Sequence, residues 1–223
     1  MNTTRSLDYA SFFFRLATPA DAEKVRSHRV DAYQKSTHFQ LLDEKVMGWN
    51  QTDTTHLVLL IVDADGEIIA SVRGVTLRDP EEFIKVTNIA PTDRVLFPAF
   101  HIKTSCTTPK YVGYGMNRLL KNELFSLIKG GEIKCIASTL PRYSWRANDL
   151  EKTGFKGVPV ELEGPSSGAF AFNCSLNEYV IPMAKIDDYI NGLPDNLISP
   201  WQLIHRAPET RARAKSYLKK IIL

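Results

Sequence analysis

The stretch Pro109-Lys110-Tyr111-Val112-Gly113-Tyr114-Gly115-Met116 decides how this chain is read. Behind it, Met116, Leu119, Leu120, Leu124, Leu127 and Ile128 recur at i, i+3 and i+4, the spacing of one buried helix face. Ahead of it, residues 95–106 have the composition of a strand. Strand, two-glycine turn and helix together make a phosphate-binding layout. The glycines let the backbone come close, and the amides left unpaired at the helix N-terminus point at the anion. Glycines also end strands and open helices in α/β proteins that bind no phosphate, so the surrounding elements must decide.

Upstream, residues 12–16 read as a first strand. Thr18, Pro19 and Asp21 then supply an N-cap, a first-turn proline and an acid at the positive end of a helix that runs to about residue 36. A second helical segment is read at 40–49. Two β-rich runs, 56–62 and 67–77, flank Asp65-Gly66, a pair that accepts the positive φ of a tight hairpin turn. Downstream, the helix over 113–128 ends at Gly130-Gly131. A short strand follows at 133–138, then a helix from 141 to 152, and β-rich runs at 157–162 and 168–174. Beyond 181 the chain reads as helices broken by glycine and proline. The fold class is therefore α/β (α+β), with one main domain expected over 1–176 and a helical C-terminal extension over 177–223.

Composition fits a soluble globular protein: 223 residues, 43% hydrophobic and 24% charged. No apolar run reaches the roughly 18 residues of a membrane span, and Phe12-Phe13-Phe14 is too short for the core of a signal peptide. A cytoplasmic location is expected. Cys106, Cys135 and Cys174 match no zinc spacing and read as small buried residues, so no metal is expected. The net charge of +3 is uneven: residues 206–223 hold six basic side chains and one acid, leaving the rest at −2. A near-neutral body with one basic end does not point to nucleic acid.

The order of elements, with a glycine turn after the fourth strand, resembles the GNAT family of acyl-CoA N-acyltransferases. The resemblance rests on Lys110 to Gly115, on Lys152-Thr153-Gly154-Phe155, and on Phe14-Arg15-Leu16-Ala17-Thr18-Pro19-Ala20-Asp21. It covers residues 12–175 and implies a mixed, mostly antiparallel sheet flanked by helices. It also implies coenzyme A, as acetyl-CoA or a longer acyl-CoA, with its pyrophosphate on Lys110, Tyr111, Val112, Gly113, Tyr114, Gly115 and Met116. The thioester would lie between strands four and five, open to direct attack by an amine.

The chain departs from the family pattern in two places. Leu150 stands where many members carry a tyrosine acid, which leaves Tyr143 and Ser144 as substitutes. The fourth strand holds no carboxylate, which leaves His101 as the base; Thr104 and Ser105 on the same strand read as ligand-facing. A narrower resemblance joins Arg29-Val30-Asp31-Ala32-Tyr33, Trp49, Asp53 and Ala70-Ser71-Val72-Arg73-Gly74 to the N-acyl amino acid synthase and autoinducer synthase branch. It implies that Arg29 and Arg73 bind substrate and that the donor is an acyl carrier protein, an acidic partner suited to the basic tail. The acceptor is then a small amine or an amino acid. A non-catalytic acyl-CoA-binding module and a homodimer are both left open by the residues.

Overall fold

The hairpin around Gly66 sits in the middle of the sheet. In the computed structural model, residues 7–34, 47–49, 53, 55–141, 144–161 and 176–222 are described. Its strands, β2 (Leu57–Val62) and β3 (Ile68–Leu77), are buried along their whole length, because helices cover both faces. β1 (Phe13–Leu16) and β4 (Ala99–Thr107) flank the pair antiparallel. β5 (Cys135–Pro141) lies parallel to β4, and β7 (Leu176–Pro182) and β6 (Lys156–Val160) complete that side antiparallel. The order among the described residues is β6-β7-β5-β4-β3-β2-β1-β8, where β8 (His205–Arg206) runs parallel to β1. This is the mixed, mostly antiparallel sheet expected.

The helix behind the glycine turn buries the face its spacing announced, and two others cover the other side of the sheet. α3 (Met116–Ile128) lays Leu119, Leu120 and Leu124 against Phe14, Leu59, Ile61 and Val72. On the opposite face, α1 (Ala22–Tyr33) packs Val25 on Val58 and Leu60, and α2 (Pro80–Thr87) packs Phe83 on Val75 and Leu77. Each such side chain contributes about 1.5–3 kcal/mol by leaving water. The entry to α1 is fixed by Asp21, which accepts from the Thr18 amide at 2.7 Å and pairs with Arg15 at 2.7 Å. Burial alone would raise the Asp21 carboxyl, but these partners outweigh it and hold it at about 2.

Several boundaries moved. β4 begins at Ala99 rather than 95, because 80–98 holds the unforeseen helix α2 and a loop. Its signals were present: Asp79 accepts from the Glu82 amide at 2.8 Å, Pro80 opens the first turn, and Asn88 ends it at φ 60°. α4 (Trp145–Lys152) starts four residues later than the helix read from 141. The last strand of the main sheet is Leu176–Pro182, so it crosses the boundary drawn at 176; the run at 168–174 lies outside the described residues, as does most of 40–49.

The C-terminal segments α5 (Ile186–Asn191), α6 (Asp195–Leu203), β8 and α7 (Pro208–Ile222) belong to the same body. α7 buries Ala214 and Leu218, and Tyr217 donates to the Thr55 carbonyl. Arg206 forks onto the buried Glu123 of α3, with Nη2 2.8 Å from Oε2. Cys106 and Cys135 are buried free thiols, while Cys174 lies outside the described residues.

Candidate active site

Beyond β4 the backbone makes a 3-10 turn over Pro109–Tyr111 and a second turn through Gly115, which caps α3. Gly113 and Gly115 have φ of 93° and 74°, the left-handed region where a side chain is strained. The amides of Gly113, Gly115, Met116 and Asn117 donate to no acceptor among the described residues. Four free N–H groups at the start of a 13-residue helix form a pre-built anion cradle. Lys110 Nζ lies 5.2 Å from the Tyr111 ring centre, Val112 is exposed, and the Tyr114 carbonyl accepts from Tyr9 OH at 3.1 Å. The Met116 side chain is core, so only its amide serves the cradle.

The two glycines do different work. A Cβ on Gly113 would meet nothing within 4 Å, whereas one on Gly115 would lie 2.4 Å from Leu197 of α6. Gly115→Ala therefore adds a clash to backbone strain and should cost about 2–4 kcal/mol. Gly113→Ala should cost about 1–2 kcal/mol, from strain alone. Urea unfolding of the two variants measures the order; Gly113→Ala as the more damaging change would contradict this account.

β4 and β5 pair only from Ala99↔Cys135 to Ile102↔Ser138 and then part. Past that point β4 stays with β3 and β5 with β7. Arg73 faces Thr104 and Gly74 faces Ile102, so Lys103 is a bulge that bends β4 at the split. The Ser105 carbonyl faces the opening, accepting from Tyr33 OH at 3.2 Å and Arg146 Nη1 at 2.6 Å. By strand geometry the Ser105 N–H faces it as well. This free edge leads directly to the turn at 109–115.

On the α1 face, beside the opening, buried polar groups gather. Asp53 bridges Arg29 Nη2 at 2.7 Å and Arg73 Nη1 at 3.1 Å, and Arg73 Nη2 reaches Thr104 Oγ1 at 3.2 Å. The Nε atoms of both arginines are buried without a partner. Two guanidinium groups thus share one carboxylate among the described residues. Nearby, Thr108 Oγ1 donates to the Ile68 carbonyl at 2.8 Å and so accepts from His28 Nδ1 at 3.0 Å. That leaves His28 Nε2 facing the Cys106 thiol at 3.3 Å. Burial, helped by the Arg29 charge, lowers His28 to about 4, and burial also pushes the Cys106 thiol up, so both are neutral.

The structure thus brings Arg29, Arg73 and Thr104 together around Asp53, and it places Ser105 on the opening. His101 is corrected. It is 1% exposed, its ring edges onto Phe83, and Nε2 meets Thr139 Oγ1 at 3.4 Å. Burial foremost, then the neighbouring Lys103 and His56, lower it to about 3, which sets it aside as a base. Ser144 is corrected too: its Oγ caps α4, accepting from the Arg146 amide at 3.3 Å. Tyr143 lies outside the described residues, and Leu150 is core. Sequence reasoning did not assign Arg146 or Asn117 to the site. Asn117 Nδ2 donates to Ser105 Oγ at 2.6 Å, a contact its helix position alone could not announce. No group of three or more potential metal ligands occurs among the described residues.

No protein-family model matches the sequence, and no curated protein matches it. Solved structures do. A CoA-dependent acyl-homoserine lactone synthase, BjaI, determined with SAM and isopentyl-CoA, aligns at TM-score 0.55 and 12% identity, over 92% of this chain and 99% of that one. A GNAT-family acetyltransferase from Listeria monocytogenes 4b F2365 aligns at 0.53 and 12%, over 77% and 94%. The structure described as histone acetyltransferase HPA2 and related acetyltransferase from Corynebacterium glutamicum ATCC 13032 aligns at 0.51 and 20%, over 77% and 97%. The chain has the GNAT fold.

Proposed function

We propose that this chain is an N-acyltransferase that moves an acyl group from acyl-CoA to the amine of a small amino acid. The observation that carries the reading is the continuous path from the β4–β5 opening, along the free edge at Ser105, to the four unpartnered amides before α3. A pantetheine arm can pair with that edge as an extra strand would, and a diphosphate suits the cradle, with Lys110 adding charge. The thioester carbonyl then lies in the opening between β4 and β5, on the Ser105 side of the bulge at Lys103.

The acceptor side follows from charge. Among the described residues, Arg29 and Arg73 carry one positive charge more than Asp53 cancels, and each keeps an unmade donor at Nε. A substrate carboxylate supplies the missing charge, which favours an amino acid over a simple amine. The amine, once neutral, attacks the thioester carbonyl directly and loses its proton to water. The basic tail does not speak for a carrier-protein donor. Its Arg211 and Lys215 join Lys129 around a concavity of about 270 Å³ at the far end of α3 from the cradle.

Titration calorimetry with acetyl-CoA and longer acyl-CoAs tests the donor. Micromolar binding is expected for at least one, with Gly113→Ala weakening it about tenfold by redirecting the amides. No binding by any acyl-CoA would sink the reading. Thiol release across a panel of amino acids and their carboxamides tests the acceptor. Turnover should require the free carboxylate; equal rates with both series would remove that part.

A further inference from the structure

Tyr33 closes α1, and Arg146 stands in the first turn of α4, so they approach the β4–β5 split from different helices. They converge on one atom, the Ser105 carbonyl, at 3.2 and 2.6 Å. Ser105 lies three residues past Ile102, where pairing to β5 ends, so both groups stand in the opening about 10 Å from its vertex. Each is half-buried, reachable by a ligand in the gap. A pantetheine amide that runs along β4 must take over the Ser105 carbonyl. The phenol and the guanidinium are then displaced together, beside the thioester end of the same arm.

We propose that Tyr33 is the catalytic proton donor to the leaving thiolate, with Arg146 as the positioning residue that holds the phenol and balances its charge. The assignment rests on the N-acyltransferase reading above. The acceptor nitrogen bonds to the thioester carbonyl carbon, the carbon–sulfur bond breaks, and its electron pair goes to sulfur. The proton on Tyr33 Oη moves to that sulfur, giving the free thiol. The proton shed by the newly acylated nitrogen returns through water to the tyrosinate, so nothing beyond the two substrates is consumed.

The surroundings suit a donor. Burial first, then the neighbouring Cys106, raises the Tyr33 pKa, which keeps the phenol protonated at neutral pH. Arg146 and the bond to Ser105 act in the opposite direction and stabilise the tyrosinate formed in the transfer. The titratable and charged groups facing Tyr33 are the Cys106 thiol from β4, Arg146 from α4 and Arg73 from β3. Cys106 is itself pushed up by burial, so it is a thiol at neutral pH.

Tyr33→Phe removes one oxygen and leaves the ring packing in place. Its kcat for thiol release should fall about 100-fold, with acyl-CoA affinity by calorimetry within about threefold of the parent. The fall of kcat at alkaline pH, which reports loss of the phenolic proton, should vanish. Arg146→Gln should move that alkaline limb to higher pH, and it reports independently if Tyr33→Phe does not fold. A Tyr33→Phe kcat within about threefold of the parent, or an alkaline limb unmoved in Arg146→Gln, overturns the assignment. Absence of thiol release from the unaltered chain with every acyl-CoA overturns the acyltransferase reading itself, a separate result.

Discussion

Asp53→Ala should lower folding stability by about 3–5 kcal/mol, the cost of leaving buried charge without its partner. The Asp53 side chain is fully buried, and both of its arginines are too, so removing it strands two guanidinium groups away from water. Arg73→Met should cost less, about 1–3 kcal/mol, because it leaves Arg29 and Asp53 as a balanced pair. That asymmetry is the useful reading. If urea unfolding shows Arg73→Met to be the worse variant, the excess positive charge is not real and the acceptor argument loses its footing. If the proposed reaction holds, Arg73→Met should raise KM for the amino acid at least tenfold while changing KM for acyl-CoA little.

Acid should unfold the chain between about pH 5 and 4, through protons taken up by buried histidines. Three of the five histidines are held neutral: His28 at about 4, and His56 and His101 at about 3, burial being the largest cause in each. Their folded pKa values are depressed, so the stability they contribute is present above the unfolded value near 6.5 and is lost as pH falls toward the folded ones. Near pH 5 the unfolded chain binds about three more protons than the folded one, a slope of about 4 kcal/mol per pH unit. Asp21, held at about 2, acts with the same sign at lower pH. Glu178 opposes, since burial raises its carboxyl and so favours the fold in acid. Urea midpoints from pH 7.5 to 4.5 give the slope, and His56→Gln and His101→Gln should each remove about one proton from it. A slope below about one proton between pH 6.5 and 5 would show that these rings are hydrated in the folded state.

The hairpin, the α3 face and the glycine turn were legible because each is local. Asp65-Gly66 accepts a positive φ, a 3.6-residue period marks one helix face, and a glycine at position 115 announces backbone that other residues resist. α2 was equally local, with Asp79, Pro80 and Asn88 all in place, but a run of strand-forming residues after it drew β4 too early. His101 misled for a different reason. Its type suits a base, yet whether it meets substrate depends on Phe83 and Thr139, from two distant segments that enclose it.

By itself the sequence announced the hairpin, the α3 face and the two-glycine turn, since turn chirality, capping and amphipathic period act over a few residues. Arg29 and Arg73 entered only through the family resemblance, which implied that they bind substrate. Only the tertiary structure decided that Asp53 binds both arginines, that β4 and β5 part after Ile102, and that Tyr33 and Arg146 meet at Ser105. Those contacts join residues 20 to 72 positions apart or strands whose pairing stops midway. Which side chains lose water together depends on how separate segments pack, and that packing sets both the charge of the pocket and the protons its residues hold.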